Sequence, residues 1–213
     1  MSDNTSKMIS LLGKMRKQMN GAVADSMFYY GKDYGLNYGV SLPTIRSIAK
    51  EEVHDYDFAL YLLRQQVREL KLAAMHIAQP SLLTLDNSKE WADAIINSEI
   101  AEECAFALLR HTPHINEIFH NWISSENMFA AYAALMAMAR CQITRQELAA
   151  LPNIVALYPN ERPIAQGIVA LLDTAYQNPA LSHEVEEVLK CFVPSTCTEY
   201  IADEMSWRMY KES

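Results

Sequence analysis

Apolar residues recur at three- and four-residue spacing from one end of the chain to the other, broken only by short polar, Pro- or Gly-containing stretches. That period predicts thirteen helices, over 5–19, 21–32, 42–53, 55–66, 68–79, 88–97, 99–111, 115–123, 127–140, 144–157, 161–176, 181–191 and 196–209. The breaks carry turn chemistry: Gly31 and Gly35, Pro80, Asp86-Asn87-Ser88, Pro113, Pro152, Pro159, Asn178-Pro179 and Pro194. The sharpest local signal is Tyr38-Gly39-Val40-Ser41-Leu42-Pro43-Thr44-Ile45-Arg46. A Gly turn leads into Ser41 as N-cap and Pro43 in the first turn, with Val40, Ile45, Ile48 and Ala49 on the apolar side. No run of alternating β-branched residues and no Asn-Gly or Asp-Gly hairpin turn competes with this reading.

A loose repeat runs through the middle. Arg68–Ala74 leads to Pro80 and Ala101–Ala107 leads to Pro113, and the two prolines are 33 residues apart. A third small-residue helix, Met128–Leu135, follows at a similar distance, and each is preceded by a shorter, more polar one. Alanine lets neighbouring helices approach closely, so stacked pairs of this kind bury a continuous core. The expected fold is all-α, a right-handed α-solenoid of HEAT-like or armadillo-type repeats forming a single domain over 1–213.

Composition agrees with this and narrows the partners. Half the residues are hydrophobic and only 6 of 213 are Gly. A chain of this length buries about 70 percent of its unfolded surface without staples. The formal net charge of −8 weighs against a wholly basic DNA-binding face and more heavily against an anionic membrane surface. The cysteines, Cys104, Cys141, Cys191 and Cys197, form no Cys-x-x-Cys pair, although Cys191 and Cys197 flank the Pro194 turn. No apolar stretch reaches the ~20 residues that span a bilayer, and the N-terminus lacks a signal-type apolar core. A cytoplasmic monomer is the expectation.

Several side chains are candidates for chemistry. Glu102 and Glu103 are adjacent carboxylates near the start of helix 99–111, with Glu99 one turn before. One of them can serve as a general base or as the partner of a developing cation. The plainer alternative is three acids complementing a helix dipole and facing water. His111, His114 and His120 lie close in sequence, but i, i+3 across Pro113 is not a zinc pattern, so no metal and no cofactor are expected. Phe28, Tyr29, Tyr30, Tyr34 and Tyr38 surround Lys32. They read either as an aromatic and basic surface that stacks bases, or as rings capping the core with wet hydroxyls. Arg46 and Lys50 share one helix face and Arg64 and Arg68 another, while Arg110, Arg140 and Arg162 end or begin later helices. Lined up along one side, Arg46, Lys50, Arg110, Arg140 and Arg162 would make a phosphate track.

The collinear order of these pieces resembles the DNA alkylation repair family, the HEAT-like-repeat alkylpurine DNA glycosylases. Met27-Phe28-Tyr29-Tyr30-Gly31-Lys32 followed by Tyr38-Gly39-Val40-x-x-Pro43-x-x-Arg46 is similar to the family's N-terminal signature. Arg68-Glu69-x-x-x-x-Ala74 resembles its Arg-Glu helix, Trp122-x-x-Ser125-Glu126-Asn127 its Trp-x-x-Ser-x-Asn segment, and Ala165-Gln166-Gly167 with Asn178-Pro179 its late Gly helix. The resemblance implies excision of cationic 3- and 7-alkylated purines from duplex DNA without base flipping. In the family, aromatic rings and one Asp stabilise the cation that develops as the glycosidic bond breaks.

The family's Asp belongs to a Trp-Trp-Asp-x-Val-Asp segment, whereas this chain has Asn97-Ser98-Glu99-Ile100-Ala101-Glu102-Glu103-Cys104 there. Phe129-Ala130-Ala131 stands where the family carries an arginine pair, and Ile168 follows Gly167 where it carries a Trp. The expectation is a member that keeps the scaffold as a binding module, for duplex or unusual DNA or else for a protein. The alternative is a glycosylase that uses Glu102 or Glu103 in place of the Asp.

Overall fold

A computed structural model describes residues 2–30 and 34–211; the turn assigned to Gly31 and the position of Lys32 fall outside the described residues. The described residues form helices joined by short connections, with one isolated parallel bridge between Leu36 and Val67. Its helices are α1 (Ser2–Arg16), α2 (Gly21–Tyr29), α3 (Leu42–Ala49), α4 (Tyr56–Leu63), α5 (Arg68–Ile77), α6 (Leu85–Ala94), α7 (Ser98–Ala107), α8 (Ile115–Trp122), α9 (Met128–Met138), α10 (Arg145–Leu157), α11 (Arg162–Tyr176), α12 (Ser182–Lys190) and α13 (Thr196–Lys211). Each expected helix is present.

Three details differ from the sequence reading. Asp86-Asn87-Ser88 is not a turn but the first turn of α6, because Thr84 and Asn87 form a reciprocal capping box that begins two residues earlier. Pro152 does not break its helix and lies inside α10. The expected 99–111 helix ends at Ala107 and tightens into a 3₁₀ turn over Leu109–His111.

The helices gather into two compact units, Met1–Leu83 and Thr84–Ser213. In the second, α7, α9, α11 and α13 pack in succession as one layer. In the other layer α6 packs on α8 and α10 on α12, and α8, α10 and α12 reach back to α9 and α11. This is the expected stacking of helix pairs. Helix α9 lies against α7, α8 and α11, and Ala130, Ala131, Ala133, Ala134 and Ala137 are all buried. An all-round apolar sequence suits a helix covered on every side. Gly167 of α11 permits a close approach to α9: a Cβ there would lie 2.9 Å from the Leu135 Cβ and 3.2 Å from the Tyr132 ring.

In the first unit α5 packs against α1, α3 and α4. A buried charge pair at its start organises the unit. Glu69 accepts the Tyr38 amide at 3.2 Å and the Val40 amide at 3.2 Å. Arg68 pairs with the same carboxylate at 3.2 Å, donates to the Val40 carbonyl at 2.9 Å and lies over the Tyr34 ring. These bonds hold the Tyr38–Val40 segment just ahead of α3. There Gly39 takes φ +66, and a Cβ would stand 2.0 Å from the Asn20 carbonyl oxygen, so only glycine fits. Asn20 caps α2 and donates its amide to the Tyr38 carbonyl, which seats the base of α2 on the same segment. Ser41 and Pro43 then start α3 as expected, with Val40, Ile45 and Ala49 buried beneath.

Candidate nucleic-acid interface

The carboxylate pair of α7 is split by the fold. Asn97 caps the helix through the Ile100 amide, so Glu102 and Glu103 lie in the second turn rather than the first. Glu103 is buried among α7's apolar residues, which overturns the reading of all three acids as water-facing. Glu102 is half-buried, and its Oε1 accepts the Tyr132 hydroxyl of α9 at 3.0 Å. Burial first, then the neighbouring Glu102 charge, pushes the Tyr132 phenol well above its ordinary value, so it stays a donor. One turn further along α7, Phe106 meets Arg140, which lies just past the end of α9: its guanidinium is 4.2 Å from the Phe106 ring centroid and donates to the Met136 carbonyl.

Arg110 is exposed on the 3₁₀ turn beside this corner, donates to His111 at 2.9 Å and bears on the Cys141 thiol through its charge. The Cys141 thiol donates to the Arg110 carbonyl at 3.6 Å, so the fold brings Arg110 beside the residue that follows Arg140. Arg162 is exposed at the start of α11, 4.8 Å from the Tyr200 ring centroid, and the Glu204 carboxyl is lowered chiefly by its hydrogen bond from Arg208, with a lesser contribution from the Arg162 charge.

In the first unit Lys50 is exposed at the C-cap of α3, and Arg46 is half-buried in the turn before it. Arg64 is exposed, but Arg68 is committed to the Glu69 pair inside the unit and cannot face a phosphate. The aromatic cluster divides in the same way. Tyr34 is buried over Arg68, Tyr38 is half-buried with Arg16 over its ring, and Phe28, Tyr29 and Tyr30 stand in solvent. Helix α2 buries none of its residues.

The signature residues outside these clusters act as joints. Trp122 is buried and donates its indole N–H to Ser88. Asn127 caps α9 through the Phe129 and Ala130 amides and donates to the Ala92 carbonyl at the end of α6. Ile168, where the family carries a Trp, is fully buried. The histidines disperse: His111 takes Arg110, His114 faces Glu117 and His120 faces Glu147. Among the described residues no three His, Cys, Asp or Glu side chains meet as a metal-ligating group. Cys191 is exposed and Cys197 buried, and both are free thiols. No helix among the described residues is long and apolar enough to cross a membrane.

The partner that sequence reasoning missed is Tyr132. Within Phe129–Met138 it is the one side chain able to donate a hydrogen bond, which is the signal that would have singled it out.

These features belong to a helical-repeat protein whose signature positions are spent on packing. A family model for the DNA alkylation repair enzymes matches residues 11–164, and the chain belongs to that family. A solved structure described as from "a new family of proteins related to the HEAT-like repeat DNA glycosylases with affinity for branched DNA structures" is similar along almost its whole length. The likeness has a TM-score of 0.71 at 13% identity and covers 92% of this chain and 93% of that one. The fold is therefore the all-α HEAT-like repeat. No curated protein sequence matches the chain.

Proposed function

We propose that this protein is a DNA-binding helical-repeat module of its family and does not excise alkylated bases. The observation that carries the reading is the fate of the two carboxylates. Glu103 is buried, and Glu102 is engaged by the Tyr132 hydroxyl at 3.0 Å rather than aimed at a ligand. Trp91 and Trp122 are also buried, so neither offers a ring face to a cationic base. The family supports DNA as the ligand class, and the affinity of the structurally similar protein for branched DNA supports a branched substrate. Arg110 and Arg140 are the candidate phosphate contacts of the second unit, and Arg46 and Lys50 are those of the first, each taken by itself.

Glu102 itself favours a second reading. Its carboxylate and the Tyr132 ring form a carboxylate–aromatic pair of the kind that stabilises a cation. One experiment separates the two. The purified protein is incubated with methylated duplex DNA, release of 7-methylguanine and 3-methyladenine is measured, and binding to linear duplex and four-way junction DNA is titrated at low salt. Binding without release is the expected result. Release that disappears in Glu102→Gln would replace the binding module with an enzyme. Failure to bind either DNA would overturn the proposal.

A further inference from the structure

Helix α2 is anchored on one side and bare on the other. Asn20 fixes its start, and Met27 near its end receives the Asn37 amide at 3.3 Å. Beyond Met27 come three consecutive aromatic side chains, Phe28, Tyr29 and Tyr30, which are 71%, 83% and 77% exposed. The Tyr29 and Tyr30 rings meet edge to face at 5.3 Å. Three large rings side by side in water, on a helix with no buried residue, contribute nothing to a core.

Charge distinguishes the setting of these rings from the rest of the molecule. Residues 1–50 hold seven Lys and Arg against three Asp and Glu, a formal +4. Residues 51–213 hold eleven against twenty-three, a formal −12, so the basic charge of an acidic chain is concentrated where the rings are. Within this segment Lys7 and Lys14 pair with Asp55, Glu51 and Glu52. Arg16 and Lys17 are exposed where α1 turns into α2, and Lys17 also lines a shallow depression of about 470 Å³ with Lys14, Thr44 and Ser47. Nine helical residues rise about 13 Å, so these cations and the rings stand a few nucleotides apart.

We infer that the tip of α2 is a branch-point reader: Phe28, Tyr29 and Tyr30 stack on the base faces left uncovered where DNA strands diverge, while Arg16 and Lys17 hold the adjoining phosphates. This rests on the DNA-binding reading above and says which feature of the DNA is recognised. A continuous duplex stacks its bases on one another and offers the rings nothing, whereas a junction presents unstacked faces to any exposed aromatic surface. The basic turn attracts both forms of DNA through their phosphates, so the discrimination lies in the rings.

The test uses the full chain with a four-way junction carrying 2-aminopurine at the branch and a linear duplex of the same length. Wild type should prefer the junction and quench the branch fluorophore. Phe28→Ala/Tyr29→Ala/Tyr30→Ala should bind the junction about tenfold more weakly or worse, with affinity for the linear duplex unchanged and the quench lost. Since α2 buries no residue, its circular dichroism melt should match wild type. Tyr29→Phe/Tyr30→Phe keeps the rings and should keep the preference. Arg16→Ala/Lys17→Ala should weaken both DNAs alike. A triple variant that retains the junction preference overturns the inference and leaves DNA binding intact. Wild-type dimers that the triple variant dissociates would assign the patch to a second copy of the chain and overturn it too. Wild type that binds no DNA overturns both readings.

Discussion

Replacing Glu69 by Gln tests the account of how the first unit is held together. The Glu69 carboxylate is fully buried and accepts from the Tyr38 and Val40 amides and from Arg68, with Oε1 within 3.2 Å of all three donors. The amide side chain of Glu69→Gln would keep the volume and one carbonyl oxygen where Oε1 stands. What it removes is the negative charge opposite a guanidinium that is itself only 1% exposed. Stripping one partner from a buried pair costs about 3–5 kcal/mol, and because the amide preserves the acceptor the expected loss is near the lower end, about 3 kcal/mol. For a chain of this size that corresponds to roughly 6–12 °C in Tm.

The assay is urea unfolding followed by far-UV circular dichroism. Tryptophan emission is recorded alongside, since Trp91, Trp122 and Trp207 all lie in 84–213 and report that unit alone. Arg68→Met in the Glu69→Gln background removes the orphaned charge, so the double variant should be clearly more stable than the sum of the two single losses. A Glu69→Gln loss under about 1 kcal/mol, or strictly additive single losses, would refute the claim that this pair organises the unit.

Two further outcomes follow from neighbouring groups. Lys71 is buried, donates to the Leu63 carbonyl at 2.9 Å, and burial lowers its pKa below the ordinary 10.5. The unfolded chain therefore holds this proton more tightly than the fold, and wild type should gain stability as pH rises from neutral toward 10.5. Lys71→Met should lack that rise, and parallel stability curves for the two proteins would refute it. Gly39→Ala places a Cβ 2.0 Å from the Asn20 carbonyl oxygen and 2.8 Å from the Ala24 amide, both backbone atoms, at a φ of +66. It should cost about 2 kcal/mol or more, read as a lower urea midpoint, and an unchanged midpoint would refute the tight seat drawn for α2.

Helix positions, caps and the small-residue helices of the stacked layers were legible in the chain because they depend on local spacing. Ser41 and Pro43 announce a helix start through residue type alone, and the alanines of α9 announce close packing. Asp86-Asn87-Ser88 and Pro152 were misread for a local reason as well. A capping box can begin two residues before an obvious Asp-Asn-Ser turn signal, and a helix that is packed elsewhere tolerates one proline. The resemblance carried the fold for the same reason: Gly39, Arg68, Glu69, Trp122 and Asn127 are packing joints, so a scaffold that needs them keeps them whatever becomes of its chemistry.

What the sequence by itself determined is an acidic, all-helical repeat chain of a recognisable family. Which side chains meet solvent was decided only by tertiary packing. Arg64 and Arg68 are four residues apart, yet one is exposed and the other is held inside the first unit. Glu102 and Glu103 are adjacent, yet one reaches Tyr132 thirty residues away and the other is buried. Tyr30 and Tyr34 belong to one aromatic run, yet only Tyr30 stands free of the core. Glu102 and Glu103 are successive on one helix and so point about 100° apart, whereas Arg64 ends α4 and Arg68 begins α5, and Tyr34 lies beyond the end of α2. Whether each meets core or water depends on partners brought in from distant parts of the chain, and no local pattern encodes that.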